Sequence, residues 1–187
     1  MISQIFTQDC FKIITLFSIS PGSKHNRKFI QEKTGLYNTP LDKALRRLIN
    51  SKILKREGNY YSVNFEEEYF KKFIDICISE YKTLKEIPLN IYFLLIDLIN
   101  EFSKINRAEI YLFGSYSKLI YKNDSDVDIA LIYSNNIDKK LINKFTLKVE
   151  KDYNKNIEIH YFEKNDFYKN KKDPLVKSII KDGVKLM

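Results

Sequence analysis

A chain of 187 residues with 44% apolar and 14% aromatic residues, only 5 Gly and 4 Pro, has the composition of a folded protein of one large or two small domains. It excludes collagen-like, low-complexity and disordered classes. The net charge of +8 is unevenly spread, since residues 1–60 hold 11 Lys/Arg against four acids and the rest of the chain 21 against 20. That asymmetry predicts two modules with different partners, the first either facing a polyanion or carrying a well-solvated basic surface.

The two cysteines, Cys10 and Cys77, stand far apart without a histidine or second thiol at metal-ligand spacing, so they read as core residues in a reducing compartment. The longest apolar stretch, 91–99, is interrupted by Asp97 and is too short to span a bilayer. Asp9 falls inside what would be the hydrophobic region of a secretory signal. The expectation is a cytoplasmic protein with no membrane partner.

Apolar residues recur at helical spacing over 5–17, until Pro21 and Gly22 stop the pattern, and a second short helix over 27–33 is ended by Gly35. A third helix is marked by Thr39 as its cap, Pro40 in its first turn and Asp42 three residues after Thr39, approximating a capping box. Leu41, Ala44, Leu45 and Leu48 fall on one face of it, and Lys43, Arg46, Arg47 and Asn50 on the other. Two strand-like runs, 53–56 and 60–63, then flank Glu57-Gly58-Asn59 as a hairpin.

Three helices followed by a hairpin, over residues 3–64, resembles a winged helix-turn-helix domain. The resemblance implies double-stranded DNA as a partner, with Lys43, Arg46 and Arg47 of the third helix in the major groove and the wing around Gly58 near the backbone. It also makes a homodimer attractive, because such domains often read paired half-sites. Docking of a protein partner or a second subunit fits the same residues. Residues 65–90 read as a helical connector, with Phe70, Phe73, Ile74, Ile76, Cys77 and Ile78 spaced along 66–81 and Pro88 preceding an apolar helix over 90–102.

The chemistry begins at Glu109. A strand over 109–113 runs into Gly114-Ser115 and a helix-compatible stretch, 116–121; after a ten-residue gap beyond Ser115, Asp126-Val127-Asp128 lead into a strand over 129–133. Residues two apart on a strand share a face, which sets the two carboxylates side by side. At a separation of about 4 Å they would repel by about 4 kcal/mol at an effective dielectric of 20. Such a pair wants a cation or a shared proton, most simply Mg2+ carrying a phosphate. Gly114 permits close backbone approach, and Ser115 offers a hydroxyl and an amide to a phosphate oxygen. A third strand, 156–162, has Glu158 as its one acid; beside the aspartate strand it would complete a three-carboxylate cluster for two metal ions. His160 falls on the same face as Glu158, although a packed or solvent-facing strand histidine is its simpler reading.

This Gly-Ser, ten-residue gap, Asp-x-Asp pattern, with a later acid inside an apolar strand, resembles the minimal nucleotidyltransferase family of the DNA polymerase β-like nucleotidyltransferase superfamily. The similarity spans residues 88–187, with 174–187 as the closing helix and last strand. It implies an α+β protein: a winged helix-turn-helix over 1–64, a connector over 65–90, and over 91–187 a nucleotidyltransferase domain, a short mixed β-sheet flanked by helices. It further implies transfer of AMP from ATP to a hydroxyl with release of pyrophosphate. Gly114, Ser115 and Lys118 would hold the nucleoside triphosphate, and Asp126, Asp128 and Glu158 would be the catalytic, metal-binding carboxylates for two Mg2+ ions. Leu119 stands where that family commonly has a small residue, which implies a nucleotide pocket that is narrower or differently shaped. Members of the family often act as antitoxins that place AMP on a tyrosine of a helical HEPN-type toxin, and a fused winged helix would add operator binding. Two alternatives remain open from the residues: a DNA-binding transcription regulator whose second domain senses nucleotide without turnover, and an enzyme extending an RNA end or modifying a small-molecule hydroxyl.

Overall fold

Thr7, Asn26 and Gly35 punctuate the first helices in the computed structural model, which describes residues 2–84, 87–105, 108–134 and 136–187. The chain divides into two units, Met1–Phe93 and Leu94–Met187. In the first, a short 3-10 helix, Ile2–Ile5, precedes α1 (Gln8–Ile19), whose first turn is capped by the Thr7 hydroxyl accepting from the Cys10 N–H. Then follow β1 (His25–Asn26), α2 (Arg27–Thr34), α3 (Asn38–Asn50), β2 (Leu54–Glu57), β3 (Tyr60–Val63) and α4 (Glu68–Thr83). Asn26 Oδ1 accepts from the Phe29 N–H at 2.8 Å to start α2, and Gly35, at φ 68°, closes it in the left-handed conformation that a side chain would resist.

The three strands form an antiparallel sheet in the order β1-β3-β2, with Tyr61 opposite His25 on one side and Arg56 on the other. Phe17, Ile30, Leu41, Leu48, Ile53 and Phe70 are fully buried together, each stabilising the unit by about 1.5–3 kcal/mol. Phe70 and Cys77 bring α4 into this core, with Phe73 and Ile74 packed against it, so residues anticipated as a connector belong to the first unit's interior.

Two local expectations differ from the structure. The first helix starts at Gln8 and runs to Ile19, because Thr7 and not the residues before it supplies the cap. Helix α3 begins at Asn38, with Tyr37 at the cap position and no side-chain cap bond, so Thr39 and Asp42 form no capping box. Asp42 instead receives Arg27 through both oxygens, at 2.7 and 3.1 Å, and Asn38 Oδ1 accepts from the same guanidinium at 3.0 Å. A forked, charge-assisted pair outcompetes a neutral cap bond. His25 lies on β1 with its ring stacked 4.4 Å from that of Phe29, and burial pushes its imidazole pKa below the ordinary value.

Helix α5 (Leu89–Phe102) carries the chain from one unit to the other. The second unit continues with β4 (Ala108–Phe113), α6 (Gly114–Ser117), β5 (Val127–Tyr133), α7 (Lys139–Tyr153), β6 (Ile157–Glu163), α8 (Lys164–Lys169), α9 (Pro174–Asp182) and β7 (Val184–Lys185). Its sheet has the order β6-β5-β4-β7; β5 and β6 are parallel and joined through α7, whereas β4 is antiparallel to both β5 and β7. Asp138 caps α7 by accepting from the Lys140 and Leu141 N–H groups. Tyr153 donates to Asp97 at 2.6 Å and the Ile157 N–H donates to Glu150 at 2.8 Å, which fixes α7 between α5 and the start of β6.

Strand alternation sorts the sheet into two faces. Ile110, Leu112, Val127, Ile129 and Leu131 are fully buried on one; on the other, Phe113, Ala130 and Ile132 pack with Phe167, Val176 and Ile179 of α8 and α9. Asp128 shares this second face, at the start of β5. The helix expected over 116–121 is only the four-residue α6: Lys118 ends it and Leu119 turns left-handed at φ 57°, while the Tyr116 and Tyr121 rings stack 4.7 Å apart across the turn. Mixed helices and sheets make the protein α+β. Among the described residues no helix is long and apolar enough to cross a membrane.

Candidate active site

Sheet register builds the site. Phe113 pairs with Asp128 across β4–β5, and Asp128 pairs with Glu158 across β5–β6. The chain leaves β4 at Gly114, whose φ of 70° and lack of a side chain are both required: a Cβ there would collide with the Asp128 carboxylate. The Ser115 N–H donates to that same carboxylate. Burial raises the Asp128 pKa, and the neighbouring Glu158 charge raises it further, while His160 and the Ser115 N–H oppose the shift.

His160 Nε2 lies 3.1 Å from Glu158 Oε1, with the two side chains 28% and 59% exposed. The His160 ring stands edge-on to Phe113 at 5.1 Å between centroids. Asp128, Glu158 and His160 each offer a ligand atom, and these atoms lie within 4.8 Å of one another. Two carboxylates and one imidazole fit a divalent cation, and the unrelieved repulsion at half-buried Asp128 supplies a physical reason to bind one.

The anticipated residues are distributed as follows. Asp128 and Glu158 come together, with Gly114 and Ser115 against Asp128. Asp126 is exposed and precedes β5, so it stays outside the ligand group and acts on Asp128 only through its charge. Strand β5 begins at Val127, one residue after Asp126. Lys118 turns toward α9, meeting Ser178 Oγ at 3.3 Å and the Asp182 carboxylate at 3.5 Å. His160, set aside at first as a packed residue, joins the site; its parity with Glu158 on one strand was the signal that could have placed it there.

In the first unit Lys43 and Arg46 are exposed on α3, whereas Arg47 is half-buried beside the Cys10 thiol. Arg46 shares a groove of about 290 Å³ with Asp42, Asn50, Tyr61 and Arg56 of the hairpin. Arg56 is held there by donating to the Gly58 carbonyl at 2.8 Å and lying over the Tyr61 ring.

Comparison with known proteins gives one match: residues 94–187 fit the family described as Polymerase beta, Nucleotidyltransferase. No curated protein and no solved structure matches the chain.

Proposed function

This chain belongs to the polymerase beta nucleotidyltransferase family, and from that membership we propose that it transfers AMP from ATP to a hydroxyl, the acceptor being a tyrosine of a HEPN-type toxin for which it is the antitoxin. The observation that carries the chemistry is the pairing of Asp128 with Glu158 in the β5–β6 register, directly against the Gly114 turn. These carboxylates would hold a divalent ion, Mg2+ being the simplest, which would neutralise charge on the triphosphate. Asp126, exposed just ahead of β5, is the further carboxylate available to a second ion.

The protein's own residues do the rest. Gly114 lets the backbone of α6 close on Asp128, and the Ser115 N–H fixes the carboxylate in place. Glu158, facing solvent, takes the acceptor's proton on the carboxylate oxygen that does not hold the ion. The hydroxyl oxygen forms a bond to the α-phosphorus, the bond to the bridging oxygen breaks, and pyrophosphate leaves. In the same reading the first unit is a winged helix-turn-helix that binds double-stranded DNA with α3, supported by Lys43 on the exposed face and by the Arg46–Arg56 groove. Pyrophosphate release from ATP and Mg2+, measured with and without an added HEPN-type protein, tests the proposal; release that needs neither that protein nor Asp128 contradicts it.

Two contacts favour a second reading, a DNA-binding regulator that senses nucleotide without turnover. The Ser115 amide, expected on a phosphate, donates to Asp128, and the Lys118 ammonium is engaged by α9. That reading predicts ATP-dependent operator affinity with no pyrophosphate released.

A further inference from the structure

We propose that His160 is a ligand of the metal site and biases it toward first-row transition ions over Mg2+, Mn2+ serving as the paramagnetic probe; this rests on the nucleotidyltransferase reading of the same site. Asp128 and Glu158 are register partners, and His160 follows Glu158 by two residues on the same face of β6. The topology thus sets an imidazole nitrogen among two carboxylates, all within 4.8 Å. The ring meets Phe113 in a T-shaped contact and its Nε2 lies 3.1 Å from Glu158 Oε1, so an imidazole nitrogen already faces the carboxylates before an ion arrives.

Donor chemistry decides the preference. Mg2+ takes oxygen donors at near-ideal octahedral geometry and keeps its waters, gaining little from an imidazole. Affinity for nitrogen donors rises along the first-row divalent ions, and a site mixing one imidazole with two carboxylates discriminates against magnesium without excluding it. An all-carboxylate cluster, which the sequence led one to expect, would lack this bias. The chain has two histidines in all, and the other, His25, belongs to the first unit, where it stacks on Phe29.

The test uses the untagged full chain, stripped of metal with chelator. Pulsed electron paramagnetic resonance of the Mn2+-loaded protein should show nitrogen coupling of an imidazole ligand, lost in His160→Gln. Calorimetric titration should show the Mn2+ over Mg2+ affinity ratio falling at least tenfold in His160→Gln, with Mg2+ affinity changed less than twofold. His160→Asp, which restores an all-oxygen set, should raise Mg2+ affinity and lower the ratio further. Mn2+ binding that Asp128→Asn removes but that shows no nitrogen coupling in the wild type would overturn the proposal, as would an unchanged ratio in both His160 variants. Nitrogen coupling in a chain that binds no ATP would uphold the metal site while sinking the nucleotidyltransferase reading.

Discussion

Asp128 and Glu158 are paired positions of adjacent parallel strands, so two carboxylates confront each other across one inter-strand step, a spacing of about 4.8 Å. Burial and the Glu158 charge together raise the Asp128 pKa. A fold that chose stability alone would not keep this pair. Replacing Asp128 by Asn should therefore leave thermal stability unchanged or raise it by up to about 1 kcal/mol, while abolishing nucleotidyl transfer. Thermal unfolding and a turnover assay on the same variant check both halves.

Gly114 and Gly58 give a matched pair for a backbone test, since both sit at positive φ, 70° and 59°. Open space surrounds Gly58, whereas a Cβ at Gly114 meets Asp128. Gly58→Ala should cost about 1 kcal/mol from the left-handed conformation alone. Gly114→Ala should cost about 3 kcal/mol and displace the Asp128 carboxylate. Urea unfolding of the two variants decides it; equal losses would mean that Asp128 does not press on the turn.

Glu109, at the other end of β4, accepts from Lys185 at 2.8 Å and from Tyr168 at 3.0 Å and pairs with Lys164 at 2.7 Å. Lys164 and Lys185 lead the causes that hold its carboxyl at about 2, below the ordinary 4.5. A depressed folded pKa contributes stability that is complete above about pH 4.5 and is lost as pH falls toward 2. Because both lysines are 43–52% exposed, screening leaves about 1 kcal/mol. Glu109→Gln should lower Tm by about 4 °C at pH 7 and by progressively less below pH 4. A Tm difference that stays undiminished down to pH 2 would contradict the assignment.

DNA binding by the first unit, if carried by Arg46 and Arg56, should lose up to about two units of salt slope when both become Ala. Arg47→Ala should change the slope less, because its side chain is half-buried beside Cys10. Fluorescence anisotropy across a salt series measures this; an unaltered slope in the double variant would move the basic groove out of the DNA interface.

Long periodic signals were readable from the residues, and short or non-local ones were not. Strands β4, β5 and β6 show as alternating or β-branched runs, and Gly114 as a turn. Strand β1 has two residues, too few to show a period, and exists only because Tyr61 pairs with His25 from 36 residues away in sequence. Asp42 looked like a cap because its spacing from Thr39 is local, but its partner, Arg27, lies on the preceding helix. Asp126 looked equivalent to Asp128, and the difference lies in where pairing with β6 begins. His160 needed the parallel register with Asp128 before its place beside Glu158 had chemical meaning.

Label transfer from α-labelled ATP to a HEPN-type protein offered as the proposed partner, followed by intact mass of both polypeptides, tests the central claim most directly. Wild-type protein with Mn2+ or Mg2+ should add one or more AMP units to the partner, and the Asp128→Asn and Glu158→Gln variants should add none. AMP addition that survives loss of Asp128, or nucleotide binding by the wild type with no addition to either chain, would contradict it.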